Sequence, residues 1–261
     1  MDKIMDHKVV SREEWLAARR QHLADEKALT RARDELYRKR RALPWVKVDK
    51  SYVFEGPDGK ETLSDLFAGK RQLIVNHFMF GPDWSEGCVG CSFGADHVDG
   101  ALAHLNAGGA SFATVSRASL AQIEAFKRRM GWRFKWVSSK DSDFNFDFHV
   151  SFTPEQKSGK VFYNYEMQDF MSDELPGTSV FYKNDAGEIF HTYSAYARGD
   201  ETLLGAFNFL DMTPLGRNET TVMDWVKHHD KYDPGITTSR ASEAANQADA
   251  CCITAGGGRS S

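Results

Sequence analysis

Several things this chain lacks narrow the reading before any motif does. Cysteine is scarce: four residues in 261. That is too few to scaffold a chain of this length with disulfides, as small secreted domains do. No uninterrupted apolar stretch is long enough to span a bilayer. The first residues, Met1 to His7, carry no signal-peptide apolar core. Neither sign of charge dominates, since 33 Lys and Arg face 37 Asp and Glu for a formal net charge of -4. That balance gives no reason to expect a nucleic acid or an anionic membrane as partner. The expectation is a soluble cytoplasmic protein whose cysteines rest mostly reduced. With 41% hydrophobic residues, the chain can bury one good core with extensions.

What is present centres on Cys88-Val89-Gly90-Cys91. An apolar, strand-like run, residues 72–80, precedes it, a Gly/Pro turn separates the two, and a helix-like segment follows from Ser92 to about Asn106. Strand, loop, dithiol and helix in that order put the first sulfur at a helix N-terminus. The macrodipole and unpaired N–H groups there favour a thiolate, the reactive form of cysteine. This points to thiol–disulfide chemistry on a thioredoxin-like scaffold. Cys88 is the expected attacker, and Cys91, one turn on and less accessible, the resolving thiol.

The rest of the chain supplies the scaffold. Ser11 with Glu14 reads as a capping box. The Ala/Leu/Glu/Lys/Arg-rich run to about Arg41 reads as one long charged helix, or two broken near Ala24-Asp25. A sparse stripe of Trp15, Leu16, Leu23, Leu29 and Leu36 is expected to pack this arm on the domain; a dimerisation arm is the other reading. Residues 1–44 are thus the arm, 45–232 the main domain and 233–261 an Ala/Ser/Gly-rich, flexible tail. Gly56-Pro57-Asp58-Gly59 is a turn, 63–67 a short helical turn and 111–116 a second buried strand. Ser119 caps a helix ending at Gly131, and Phe134 to Val137 is a third strand. Two βα units in sequence argue a parallel sheet covered by helices. The aromatic stretch 138–175 reads as core and lid packing, or as the lining of a substrate groove. Residues 179–183 and 188–193 form a hairpin, and Leu203, Leu204, Phe207 and Leu210 mark a last helix.

Other chemistries have some support. Cys-x-x-Cys is also half of a zinc knuckle; its missing ligands would be Cys251-Cys252 and His228-His229, without knuckle spacing. Cys251 and Cys252 read otherwise as incidental thiols or an auxiliary redox pair. Ser85 stands three residues before Cys88 and Pro82 six before, close to the spacing of a peroxidatic cysteine. Against this, Asp83 and Glu86 are expected to disfavour the Cys88 thiolate, and the arginines available to pair with it are Arg117 and Arg198. His77 reads as a core histidine, while His97 and Asp96 face either the site or solvent. Trp84 is expected to pack over the redox loop and shape access. Pro176 or Thr178, before the hairpin, is expected to contact substrate backbone.

Together these residues resemble the thioredoxin-like family DUF899, described as predicted dithiol–disulfide oxidoreductases. The matching stretches include Arg41-Ala42-Leu43-Pro44-Trp45-Val46, His77-Phe78-Met79-Phe80-Gly81-Pro82 and Gly90-Cys91-Ser92-Phe93. Others are Arg129-Met130-Gly131-Trp132, Pro176 to Phe181 and Tyr196-Ala197-Arg198-Gly199, over about residues 10–232. The resemblance implies an α/β, thioredoxin-like fold of the peroxiredoxin-like branch. A central mixed sheet would be flanked by helices, with Cys88 and Cys91 as the redox pair. After the dithiol the family usually reads Trp-Ala-Asp-Asn, where this chain has Gly94-Ala95-Asp96-His97. The expected function is exchange of the Cys88/Cys91 dithiol with a partner disulfide, in a protein or a small thiol compound. An external thiol reductant would turn it over, with no cofactor or metal. The alternatives are a thiol peroxidase, with Cys88 peroxidatic and Cys91 resolving, and a non-catalytic binding protein. The long arm leaves room for a homodimer.

Overall fold

The computed structural model describes residues 7–233. Ser11 caps α1 (Arg12–Arg41); its hydroxyl accepts from Glu14 N while the Glu14 carboxylate accepts from Ser11 N. This is one unbroken helix of 30 residues, and none of them is buried. The expected packing of its apolar stripe does not occur: Leu29 is 71% exposed and Leu36 55%. Five apolar residues spread over so many turns are too few for a continuous face. The last turn reaches the sheet through Arg40, whose guanidinium carbon lies 4.3 Å from the Tyr193 ring centroid.

After β1 (Val46–Lys47), β2 (Val53–Gly56) and β3 (Gly59–Thr62) form a hairpin. Gly59 has φ 117 there, a conformation that side chains oppose. The turn Asp65–Phe67 buries Leu66 and Phe67 ahead of β4 (Gln72–His77). The helix after the dithiol ends at Ala107, close to the expected Asn106, but departs from expectation in its start and its continuity. It starts at Val89 and is split into α2 (Val89–Ala95) and α3 (Leu102–Ala107). Gly94 and Gly100 weaken the stretch between them. The carboxylates there serve other elements: Asp96 accepts from Trp132 Nε1 at 2.7 Å, and Asp99 from Arg133 N at 3.0 Å.

β5 (Ala110–Ser116), α4 (Leu120–Met130) and β6 (Lys135–Ser138) follow as read from sequence. Ser119 and Gln122 make a second capping box, and Gly131 ends α4 with φ 67. The aromatic stretch has regular elements of its own. It holds α5 (Phe144–Asp147) and the two-stranded ribbon of β7 (Lys160–Tyr163) and β8 (Glu166–Asp169). β9 (Gly177–Lys183) and β10 (Ile189–Tyr196) form the expected hairpin, and α6 (Gly205–Leu210) is the last α-helix among the described residues.

The main sheet has eight strands in the order β1-β10-β9-β4-β5-β6-β2-β3. β4, β5 and β6 run parallel, and β9 is antiparallel to β4. The order β10-β9-β4-β5, with the dithiol following β4, is the thioredoxin-like arrangement, so the α/β fold is as expected. On one face Leu73, Val75, Val115, Phe144 and Phe181 are fully buried. On the other, α4 lays Ile123, Phe126 and Met130 against Phe78, Trp132 and Trp136. Truncating one of these to alanine would cost about 2–5 kcal/mol. His77 is indeed a core histidine, 1% exposed, with Nε2 2.8 Å from Ser179 Oγ. Burial pulls its pKa down to about 3, so the ring is neutral. No helix among the described residues is long and apolar enough to cross a membrane.

Candidate active site

The dithiol sits where β4 has ended and the chain doubles back into α2. Two contacts pin the approach. Cys88 N donates to Met79 O at 3.0 Å. His228 Nε2 donates to Gly87 O at 2.9 Å. Gly87 is required here, because a Cβ on it would come within 2.6 Å of the Phe78 ring and 2.8 Å of the Phe126 ring. Cys88 then caps α2, its Sγ accepting from Cys91 N at 3.5 Å.

The two thiols are free, half-buried and unequal. The Cys91 thiol donates to Cys88, and the backbone N–H groups of Cys91 and Gly90 add to it. Against the opposing effect of burial, these pull the Cys88 pKa from 9.0 down to about 7. The same bond, with burial, pushes the Cys91 thiol well above its ordinary value. α2 has seven residues, so these specific donors, rather than the helix macrodipole expected from sequence, carry the effect.

A cavity of about 380 Å³ opens beside the pair. Cys88, Cys91, Pro176 and Thr178 line it. Tyr163 holds the Pro176 side, donating its hydroxyl proton to Pro176 O at 2.7 Å and accepting from Ala197 N at 3.0 Å. Thr178 is 6% exposed, and its hydroxyl is turned to the Asp200 side chain, whose pKa it lowers against the effect of burial. Neither Trp84, expected to shape access, nor Ser85, singled out for its spacing before Cys88, is in the lining. Trp84 folds back over Gly81, where a Cβ would lie 2.9 Å from Nε1, and Gln122 Nε2 donates to its carbonyl at 3.2 Å. Ser85 is exposed.

The carboxylates expected to oppose the thiolate do not. Glu86 is turned away and held by Arg129 Nη1 at 2.7 Å and Lys231 Nζ at 2.8 Å. These partners lower its pKa to about 2. Asp83 is exposed. Neither arginine singled out from sequence reaches Cys88. Arg117 pairs with the buried Glu174 at 3.2 Å, and Arg198 with Glu201 at 3.0 Å. His97 faces neither site nor solvent; its Nε2 accepts from Ala206 N at 3.0 Å. Asp96 also meets His229 Nδ1 at 2.7 Å.

Sequence reasoning missed Asp200. It lines the cavity with Thr178, and burial raises its pKa from 3.8 to about 7. Its charge also contributes to the upward push on Cys91. It directly follows the matched Tyr196-Ala197-Arg198-Gly199, but no spacing ties it to Cys91. Among the described residues no group of three or more His, Cys, Asp or Glu is placed to hold a metal. The zinc and auxiliary-redox readings of Cys251-Cys252 lie outside the described residues.

A model of the family described as "Bacterial protein of unknown function (DUF899)" matches residues 4–232. The chain belongs to this family. No curated protein matches it. Among solved structures, Xanthomonas campestris peroxiredoxin Q is 16% identical, with TM-score 0.39, 64% of this chain covered and 96% of that chain. Peroxidoxin BcpB of Mycobacterium tuberculosis is 11% identical, with TM-score 0.38 and coverage of 64% and 96%. A secreted Mycobacterium tuberculosis disulfide oxidoreductase homologous to E. coli DsbE is 13% identical, with TM-score 0.33 and coverage of 59% and 91%. In this DUF899 chain Asp96 and His97 hold other elements, whereas Gly94 lines the cavity. Gly94 would place a Cβ 3.5 Å from Leu204 Cδ2, while Asp96 and His97 make the bonds given above.

Proposed function

We propose that this DUF899 protein is a dithiol–disulfide exchange enzyme. The observation that carries the reading is the asymmetry of the pair: one thiol is drawn down to about 7 by its neighbour, and the other is held protonated. An exchange enzyme needs that division of labour. Cys88 thiolate attacks a partner disulfide, forming a mixed disulfide and expelling the first partner thiolate, which takes a proton from water. Cys91 then gives its proton to the Asp200 carboxylate and attacks Cys88 Sγ. The Cys88–Cys91 disulfide forms and the second partner thiolate leaves. The partner gains two electrons, and an external thiol reductant returns them to the enzyme. The partner is a disulfide-containing protein or small thiol compound.

Exchange is favoured over peroxide reduction by the surroundings of Cys88. Ser85 is exposed outside the cavity, and Arg117 and Arg198 are engaged by carboxylates. No hydroxyl or guanidinium of these three is thus offered to a bound peroxide at the sulfur. The reading is tested by titrating the protein against defined thiol buffers, with Cys88 and Cys91 followed by alkylation and peptide mass. A reversible two-electron transition within the span of cellular couples is expected. If Cys88 and Cys91 form no disulfide in any buffer, the reading fails. Rapid turnover of hydrogen peroxide with a Cys88 sulfenic acid would replace it with the peroxidase reading.

A further inference from the structure

The cavity beside the dithiol bears on what the enzyme acts on, and this rests on the exchange reading above. Its walls are apolar: Val98 and Phe112 from one side, Leu203 and Leu204 from beyond the last strand, Val222 and Met223 from the C-terminal segment. Met223 comes close enough to the dithiol loop that a Cβ on Gly90 would lie 3.3 Å from its sulfur. Glu219 holds Met223 there by accepting its backbone N–H at 2.8 Å, with Met223 in the left-handed region at φ 62. The wall over the dithiol is therefore built from side chains without charge.

The polar groups of the lining point the same way. Arg198 is the one cation among the described lining residues, and Glu201 already engages it at 3.0 Å. The acids are Glu201, bound also by Arg217, and the buried Asp200. The Thr178 hydroxyl is turned to the Asp200 carboxylate, whose pKa it lowers, which leaves His77 Nδ1 as the buried polar atom of the lining without a partner among the described residues. An anionic substrate would leave water for apolar walls and buried acid with no buried cation to meet it, since Arg198 is 80% exposed at the rim and pairs there with Glu201.

We infer that the dithiol serves small, uncharged disulfides with apolar substituents, seated between Leu203, Val222 and Met223, and discriminates against anionic ones. Cys88 attacks one sulfur of such a disulfide, the sulfur–sulfur bond breaks, and two electrons pass from the dithiol to the released thiols. Each released thiolate takes its proton from water.

The test uses two linear disulfides with the same alkyl environment at sulfur, dipropyl disulfide and the dianion dithiodipropionate. Reduced full-length protein is mixed with each, and formation of the Cys88–Cys91 disulfide is followed by quenched alkylation and peptide mass. Each rate is divided by that of the same disulfide with free dithiothreitol, which removes intrinsic reactivity. The normalised rate should favour dipropyl disulfide by about tenfold or more. A normalised ratio near one, or one favouring the dianion, overturns the inference and leaves the exchange reading standing, since the pair has still been oxidised. If neither compound oxidises the pair, both fall. Val222→Arg supplies a second readout. Val222 is 73% exposed at the cavity rim, so the change spares the core. It should narrow the ratio by roughly fivefold through the new rim charge. A ratio unmoved by Val222→Arg overturns the inference.

Discussion

Asp200→Asn separates the proton chemistry of the site from its packing. The side chains are nearly isosteric, so the substitution alters charge and little else. In the folded protein burial raises the Asp200 pKa from 3.8 to about 7. Between those values the folded state holds a proton that the unfolded chain has lost. Stability supplied by this group is therefore full below about pH 4 and falls as pH rises, and the cost is complete above about pH 7. At 1.36 kcal/mol per pH unit the interval corresponds to about 4 kcal/mol, and partial solvent access brings the expectation to about 2–4 kcal/mol. The assay is urea unfolding of reduced wild type and variant at pH 5 and pH 8. The amide of the variant would relieve most of the cost at pH 8 and less of it at pH 5, so its advantage should grow with pH. The buried Glu174 has the same sign, raised by burial to about 7, but is common to both proteins and cancels in the difference. In exchange assays the variant should accumulate mixed disulfide on Cys88, because Cys91 has lost its proton acceptor. A difference in stability that is the same at both pH values, or that disfavours the variant more at pH 8, refutes the reasoning.

Three further substitutions probe the rest of the construction. Cys91→Ala removes the largest influence on Cys88, so the midpoint of Cys88 alkylation against pH should rise above that of Cys91→Ser, which keeps a hydroxyl donor; equal midpoints would assign the effect to the backbone N–H groups instead. Gly87→Ala forces a methyl between the Phe78 and Phe126 rings and should destabilise by about 1–3 kcal/mol in urea unfolding, whereas a variant as stable as wild type would mean the loop shifts freely. Ser179→Ala breaks a buried chain in which Ser179 Oγ meets both His77 Nε2 and Ser194 Oγ at 2.8 Å, and Ser194 Oγ meets His191 Nε2 at 2.7 Å. It should cost about 1–3 kcal/mol for the polar atoms left unpaired, and an unchanged unfolding midpoint would show the chain to be dispensable.

The elements readable from sequence were those fixed by contacts close along the chain. Ser119, Gln122 and Gly131 delimit α4 through bonds spanning a few residues, β5 is a short buried run, and the turn Asn184-Asp185-Ala186-Gly187 folds β9 onto β10. The split between α2 and α3 was not legible. It depends on Trp132 and Arg133 drawing off Asp96 and Asp99, some 34 to 36 residues away. The exposed stripe of α1 failed for the opposite reason, since apolar residues at helical spacing promise a packed face only when enough of them share it. Cys88 and Cys91, singled out by the strand–loop–dithiol–helix order, and Pro176 and Thr178, singled out by their place before the hairpin, line one cavity. Trp84 and Ser85 are near Cys88 in sequence but turned from the cavity, whereas Asp200, Val222 and Met223 are far in sequence and line it.

That division has a mechanistic side. What lowers Cys88 is local: donors from Gly90 and Cys91 within the same motif. What raises Cys91 is partly long-range, because Asp200 contributes to it and not to Cys88 among the main influences. The two thiols can therefore be tuned separately. A change at position 200 should alter the resolving step and leave the pH midpoint of Cys88 alkylation in place. A change at Cys91 should move that midpoint through the thiol hydrogen bond itself. A chain keeping Cys-x-x-Cys could on this basis hold its attacking thiol near 7 while the loop after the last strand resets how quickly the mixed disulfide is released.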